Sequence, residues 1–297
     1  MTRFFVPGDR MRGDRIVLTG DDAHHAVRVL RMGVGHRFTA VGPDGGECLV
    51  EIERVEPGSA AVVGRVVARR RPDREPRLAV TVAQALIKGD KFDHVVVKAT
   101  ELGAHGFWPF ASARSVVRLD PPRARDRVGR WQRVAEAAAR QSGRVRVPRV
   151  EPVLTFAQLL DRVAGWRSEH GADSVVLAWE GETGRGLYEL MRARWGPPSE
   201  DVPAPGGRGE PGPCVEAPQP GVTGRRGRAA AGPVLVIIGP EGGFEPGEAH
   251  SLQEAGASPV SLGRLILRTE TAAPAILAMM LYHSGDLGRA PHSPDWR

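Results

Sequence analysis

The spacing of apolar residues divides this chain into two parts. Up to about residue 71 the apolar positions fall in short runs, at residues 15–18, 37–41, 48–55 and 60–68, split by Gly, Pro and Asp. Runs of this kind predict strands. Pro43-Asp44-Gly45-Gly46 is a strong turn signal between two of them. One helix fits at residues 21–30, with Asp21 or Asp22 near its N-terminus. The pattern is that of a small barrel.

The stretch Arg69-Arg70-Arg71-Pro72-Asp73-Arg74-Glu75-Pro76 is polar, charged and bounded by proline, and reads as a linker. Beyond it, strand and helix signals alternate. Residues 78–85 predict a strand. Residues 92–102 predict a helix, with Phe92, Val95, Val96 and Ala99 at helical spacing. Strands follow at 107–110, 175–178, 234–238 and 259–262. Helices follow at 123–141 and 156–163, then between 243 and 259, and finally over the apolar stretch 272–282. Such alternation predicts a parallel sheet with helices on both faces. Residues 196–232 break the pattern. Seventeen of these 37 residues are Gly or Pro, and Val is the only large aliphatic, so little there offsets the entropy of ordering. A flexible insertion is expected.

Length and composition then set limits. At 297 residues, two domains are expected, 1–71 and 72–297, each large enough for its own core. The first eleven residues lack an apolar h-region and no apolar run approaches transmembrane length, so a soluble, cytoplasmic protein without membrane contact is expected. Cys48 and Cys214 have neither pairing nor metal-ligand spacing. His24-His25 has no Cys or carboxylate cluster beside it, so no metal is expected. One histidine of the pair is expected to pack and the other to face solvent or RNA.

Charge adds a partner. The chain carries a formal +6, but the excess is uneven. Residues 112–149 hold eleven arginines against Asp120, Asp126 and Glu136, a local charge of +8. Lysine occurs only at 88, 91 and 98. A basic stripe suits phosphate backbones, and a solvated helix would show the same composition. Trp131, within the stripe, is expected to pack against a helix face rather than stack on a base.

Candidate chemistry concentrates in residues 234–282. A buried-strand run ends in Gly239-Pro240-Glu241-Gly242-Gly243, and a second strand ends in the polar loop 263–271. Loops of this kind at the carboxyl ends of strands build ligand crevices in α/β folds. The glycines permit positive φ and a close approach of a flat ligand to bare backbone, though a plain tight turn would use them too. Neither a P-loop nor a dinucleotide fingerprint is present. Arg268-Thr269-Glu270-Thr271 precedes a helix whose Pro274 belongs in its first turn, so Thr269 and Thr271 are candidate caps. Arg268 and Glu270 add opposite charges there, which suits a zwitterionic ligand.

These motifs carry a resemblance. Gly239-Pro240-Glu241-Gly242-Gly243-Phe244, with residues 261–272 reading SLGRLILRTETA, resembles the C-terminal signature of RsmE-type 16S rRNA uridine-N3 methyltransferases of the SPOUT superfamily. Lys88-Gly89-Asp90-Lys91 with residues 98–103 resembles the family too. So do Arg130-Trp131 with residues 136–142, Arg144 and Pro148, and His24-His25 with residues 28–31. The likeness spans nearly all of the chain outside 196–232. One departure is Leu265, where the family usually has arginine.

The resemblance implies a C-terminal SPOUT domain with a deep trefoil knot and an N-terminal PUA-like RNA-binding barrel. It implies S-adenosylmethionine among the loops 178–181, 238–243 and 262–271. The implied contacts are Ala178 and Glu180, then Ile238, Gly239, Pro240, Glu241, Gly242 and Gly243, then Leu262, Gly263, Ile266, Leu267, Thr269 and Thr271. Arg268, ahead of Arg3 or Arg10 from the N-terminal domain, is the candidate for stabilising charge on the uracil, and Glu270 or Glu241 the candidate base. RNA contacts are expected from Arg3, Arg10, His25, Arg28, Arg31, Arg114 and Arg144. A homodimer acting on 16S rRNA in the small ribosomal subunit is implied. Two alternatives stay open. One is another methyl acceptor, such as a ribose hydroxyl, though relatives acting there typically use an asparagine motif and this chain has no asparagine. The other is a non-catalytic RNA-binding assembly factor that keeps the fold, against which the intact cofactor loops argue.

Overall fold

The computed structural model describes residues 2–59, 61–115, 117, 119–197 and 232–288. Residues 198–231 lie outside the described residues, and with them most of the expected insertion and Cys214.

The N-terminal part is a six-stranded sheet. Its strands are β1 (Arg3–Phe5), β2 (Met11–Arg12), β3 (Arg15–Thr19), β4 (Arg37–Val41), β5 (Glu47–Val55) and β6 (Ala61–Arg70). They lie in the order β1-β4-β5-β6-β3-β2. The β5–β6 pair shifts register between Leu49 and Val50 and again between Ile52 and Arg54. Such irregularities bend and twist a sheet. At Gly64 a side chain would run into Val50 and the Glu51 carbonyl, so only glycine lets these strands close up. The core holds Phe4, Ile16, Leu18, Phe38, Val50 and Ile52, with Phe4 and Phe38 edge to face at 5.5 Å. The expected helix 21–30 is split: α1 (Gly20–His24) continues as a π turn, His25–Val29. β1 and β2 have too few residues to show a period in sequence.

The C-terminal sheet is parallel throughout. Its strands are β7 (Val80–Ala85), β8 (Gly106–Phe110), β9 (Arg149–Val150), β10 (Val175–Ala178), β11 (Val234–Ile238) and β12 (Ser258–Val260). The order is β12-β10-β11-β7-β8-β9. One face packs on α2 (Lys91–Leu102), α3 (Pro121–Ser142), α5 (Leu187–Trp195) and α7 (Thr269–Ser284). The other packs on α4 (Phe156–His170) and α6 (Pro246–Glu254). With both faces covered, β7 and β11 are buried along their whole length, which explains their near-continuous apolar runs. Fully burying one such side chain contributes roughly 1.5–3 kcal/mol.

Local signals explain most helix ends. Asp120 accepts from the Arg123 N–H and Pro121-Pro122 open the first turn of α3. Thr155 and Gln158 form a reciprocal capping box on α4. Gly103 and Gly143 end α2 and α3 in the left-handed region. α5 was not expected from the sequence, although Leu187, Leu190 and Met191 give it a buried stripe.

The linker is more ordered than its composition predicts. Arg69 and Arg70 belong to β6. Glu75 accepts from Arg144 Nη2 at 2.6 Å and from the N–H groups of Val145 and Arg146. Arg140 reaches Asp22 in α1 of the N-terminal part at 2.8 Å. The charged segment is thus pinned just beyond α3, because its carboxylate finds a guanidinium and two N–H donors there.

Candidate active site

The chain reverses its order across the C-terminal sheet between β7 and β11. Strands β8 and β9 lie on one side and β10 and β12 on the other. Crevices form outside the carboxyl ends of strands at such a switch point. Here the strand ends align: Val260 is opposite Ala178, Ala178 opposite Ile238, and Ile238 opposite Gln84.

Three loops leave these ends and touch one another. In the first, Trp179 donates to the Val260 carbonyl. The Glu180 carboxylate lies against Gly243, so closely that any side chain at 243 would collide with it. Gly243 has φ 67°, so glycine is required twice over. Gly239 and Gly242 do not use positive φ. Gly239 instead leaves room for the Phe244 ring, 3.0 Å from where its Cβ would stand. Pro240 is buried, and its carbonyl closes the turn by accepting from Gly243 at 3.0 Å.

A buried latch joins the second loop to the third. Thr269 Oγ1 donates to the Gly239 carbonyl at 2.6 Å. Gln84 Nε2 donates to Thr269 Oγ1 at 2.9 Å. Gln84 is fully buried and its Oε1 has no partner. The expectation that Thr269 and Thr271 cap α7 is therefore corrected. The N-cap is Arg268, and it makes no side-chain cap. Thr269 is spent on the latch, and Thr271 is exposed. The helix start is open to a ligand's negative charge.

Charge gathers beside the latch. Glu241 Oε1 accepts from the Lys88 N–H at 3.1 Å and from Lys91 Nζ at 3.3 Å. Lys91 Nζ also stands 3.8 Å from Glu270 Oε1. Burial works to raise the Glu241 pKa. Hydrogen bonds from its own N–H, the Lys88 N–H and Lys91 outweigh that and hold it below the usual carboxylate range. Glu270 Oε2 is buried without a partner. Arg268 is exposed and has no ion pair among the described residues. Leu262 and Leu267 pack on the core, whereas Leu265 and Ile266 are 80% and 90% exposed beside Gly263. Ile266 therefore sits at the loop's tip rather than in its wall.

Two family models match the chain, an RNA methyltransferase domain over residues 74–193 and 216–281 and an RNA methyltransferase PUA domain over residues 18–63. The ribosomal RNA small subunit methyltransferase E of Bacillus subtilis is 33% identical over 96% of this chain and 97% of its own. This chain belongs to the ribosomal RNA small subunit methyltransferase E family. The Mycobacterium bovis relative is 32% identical over 92% of this chain and 88% of its own. The Neisseria gonorrhoeae methyltransferase E, solved bound to S-adenosyl methionine, superposes with TM-score 0.70. It is 26% identical and covers 94% of this chain and 96% of its own.

Within this methyltransferase E fold, the expected RNA residues separate into two groups. Arg28 and Arg31 are exposed, Arg10 half-buried, and Arg31 takes a left-handed φ of 53°, unusual for a residue with a side chain. His25 packs its ring edge to face on Phe4, and His24 is exposed. Arg114 donates to the Gly242 carbonyl at 3.0 Å, so it belongs to the crevice rim. Two expectations are corrected. Arg144 is buried and holds Glu75 and the Thr100 and Ala104 carbonyls, so its guanidinium is committed inside the fold rather than offered to a phosphate. Arg3 is spent on Glu47, a fully buried carboxylate that also binds Arg70. Trp131 packs on Phe92 at 4.0 Å and donates to Asp93.

Sequence reasoning missed Gln84 and the role of Lys91. Gln84 did leave a signal, as an amide near the end of a strand whose other residues are apolar save Thr81.

Proposed function

We propose that this protein transfers a methyl group from S-adenosylmethionine to N3 of one uridine in 16S rRNA, within the small ribosomal subunit. The observation that carries this reading is the latch of Gln84, Thr269 and Gly239, which draws two loops together over bare backbone. The residues present fit such a cofactor. Gly239 and Pro240 present a side-chain-poor wall, and α7 opens without a side-chain cap. Buried oxygens of Gln84 and Glu270 await donors. Ala178, Ile238, Leu262 and Leu267 supply the apolar surface for an adenine, with Gly242, Gly243 and Gly263 shaping the loops. The open N-terminus of α7, at Thr269 to Thr271, would take the methionine carboxylate.

When bound, S-adenosylmethionine supplies a methyl group already activated on a sulfonium. The chain's own task is to place the uridine and manage one imide proton. Glu241 is a poor base, since its carboxylate is held ionised by three donors. Glu270 is the better candidate, with one oxygen near Lys91 and the other unpartnered. It takes the N3 proton, while the exposed Arg268 guanidinium stabilises the charge that develops on the uracil oxygens. Glu180, against Gly243, braces the loop.

Architecture fits the same reading. Residues 258–261 pass between β10 and the backbone of residues 185–187: Ser261 donates to Arg185, and Leu187 donates to Ser261. We read this passage as the threading of a trefoil knot. We further read residues 1–71 as a PUA-like RNA-binding domain and 72–297 as the methyltransferase domain of a cytoplasmic homodimer.

The test incubates unmodified small subunits with labelled S-adenosylmethionine, followed by digestion and mass spectrometry. Label on uridine N3 is expected. Label on a ribose oxygen, or on tRNA alone, would overturn the assignment.

A further inference from the structure

α3 carries arginines at 123, 127, 130 and 133, steps of four, three and three that keep them along one side of the helix. With Leu119 and Asp126 they line a surface hollow of about 450 Å³, outside the cofactor loops. The four do not play equal parts. Arg130 is committed, with its Nε 2.9 Å from Asp93 and its Nη2 3.1 Å from Asp90. Arg123 leans on Asp120 at 3.6 Å, a loose pair between exposed groups that is easily exchanged. Arg127 and Arg133 have no ion pair among the described residues. Asp126 is the opposing carboxylate in the lining.

The hollow and the crevice share one turn. Asp90 holds Arg130, while Lys88 and Lys91 on either side of it hold Glu241. An RNA strand emerging from the crevice over this turn would meet Arg127 and Arg133 next. The arginine row spans ten residues, about 15 Å at the helical rise. That length accommodates several consecutive phosphates, and planar guanidinium forks match phosphate oxygens. Among the described residues Leu119 is the only apolar one in the lining, and protein hot spots are usually built on apolar or aromatic anchors.

We infer that this hollow seats the phosphate backbone of the rRNA strand flanking the methylated nucleotide. The inference rests on the rRNA reading above. Contacts of this kind set the register of the strand and do not read its bases. The hollow therefore positions the target, and the crevice selects it.

The test uses the full chain with Arg123, Arg127 and Arg133 all changed to Gln, leaving the structural Arg130 intact. Binding to unmodified small subunits is measured across a salt series, with S-adenosylmethionine binding as the check on folding. Cofactor affinity should be unchanged. The slope of log affinity against log salt should become shallower by about 2, from three lost charges at roughly 0.7 each. If the triple variant fails to bind cofactor, Arg127→Gln and Arg133→Gln alone should each change the slope by about 0.7. An unchanged slope in a variant that binds cofactor overturns the inference. So does loss of self-association with the slope intact, which would make the hollow a protein contact. If the unaltered protein fails to methylate small subunits, the rRNA reading itself falls. The slope is a separate measurement, so the two failures are distinguishable.

Discussion

At Lys91 one ammonium faces two carboxylates, Glu241 at 3.3 Å and Glu270 at 3.8 Å. Burial works to raise the Glu241 pKa, but three donors, Lys91 among them, hold it below the usual carboxylate range. Removing the cation raises the carboxylate's pKa, so Lys91→Met is expected to move the Glu241 titration, followed by NMR, to higher pH. An unmoved titration would mean that the two backbone donors alone hold Glu241. Glu270→Gln should lower kcat by roughly a hundredfold or more if it takes the proton, with cofactor affinity much less affected. Arg144 gives a contrasting case. It bears the same charge as the arginines proposed to face RNA, yet it is buried with both Glu75 and two carbonyls on its guanidinium. Arg144→Ala leaves Glu75 with only its two backbone donors and takes the guanidinium from the Thr100 and Ala104 carbonyls, and should cost about 1–3 kcal/mol in urea unfolding. A stability unchanged within error would show that these contacts are not needed for folding. Sequence alone could not separate Arg144 from Arg133, because burial depends on where α3 lands rather than on residue type.

Between elements, the crevice depends on loops being held in register, and Thr269 is the point of contact. Thr269→Val keeps the shape but removes the hydroxyl from the Gly239 carbonyl and from Gln84. Buried groups left unpaired cost about 1–3 kcal/mol. Calorimetry should show cofactor affinity falling by about tenfold for each 1.4 kcal/mol that reaches the loop. Thr269→Ser, which restores the donor, should recover most of it. Equal losses in both variants would make packing, not the hydroxyl, responsible. The latch also marks where sequence legibility ended. β10 and β11 were readable to the residue, since strands buried on both faces admit only apolar side chains. So was the buried face of α2. The two glycine-rich loops could be placed at strand ends from their order alone. What could not be read was which hydroxyl caps and which bridges, because Thr269 serves either role with the same neighbours in sequence. β1 escaped for a related reason: its three residues are strand only because β4 lies beside them.

At the scale of the whole molecule, Arg140–Asp22 ties α3 to α1 of the N-terminal part, and Glu75 with Arg144 pins the linker beside the end of α3. The relative placement of the two parts in one protomer is thereby constrained, and Arg28 and Arg31 stay on the N-terminal part as exposed charges. The hollow on α3 adjoins its own crevice through the turn at Asp90, and so serves in cis. The proposed homodimer adds a second possibility, that Arg28 and Arg31 of one protomer hold RNA at the crevice of the other. A two-fold assembly makes this testable by mixing. One variant, Arg268→Ala, has a disabled crevice and an intact N-terminal surface. The other, Arg28→Gln with Arg31→Gln, has the reverse. After subunit exchange about half of the dimers are mixed, and in trans each mixed dimer has one complete site of two, so about a quarter of the unaltered activity should return. If the N-terminal arginines serve their own crevice, neither protomer of a mixed dimer is complete, and activity stays at the level of the parents. Sedimentation of a fully active monomer at micromolar concentration would remove the dimer, and the trans arrangement with it.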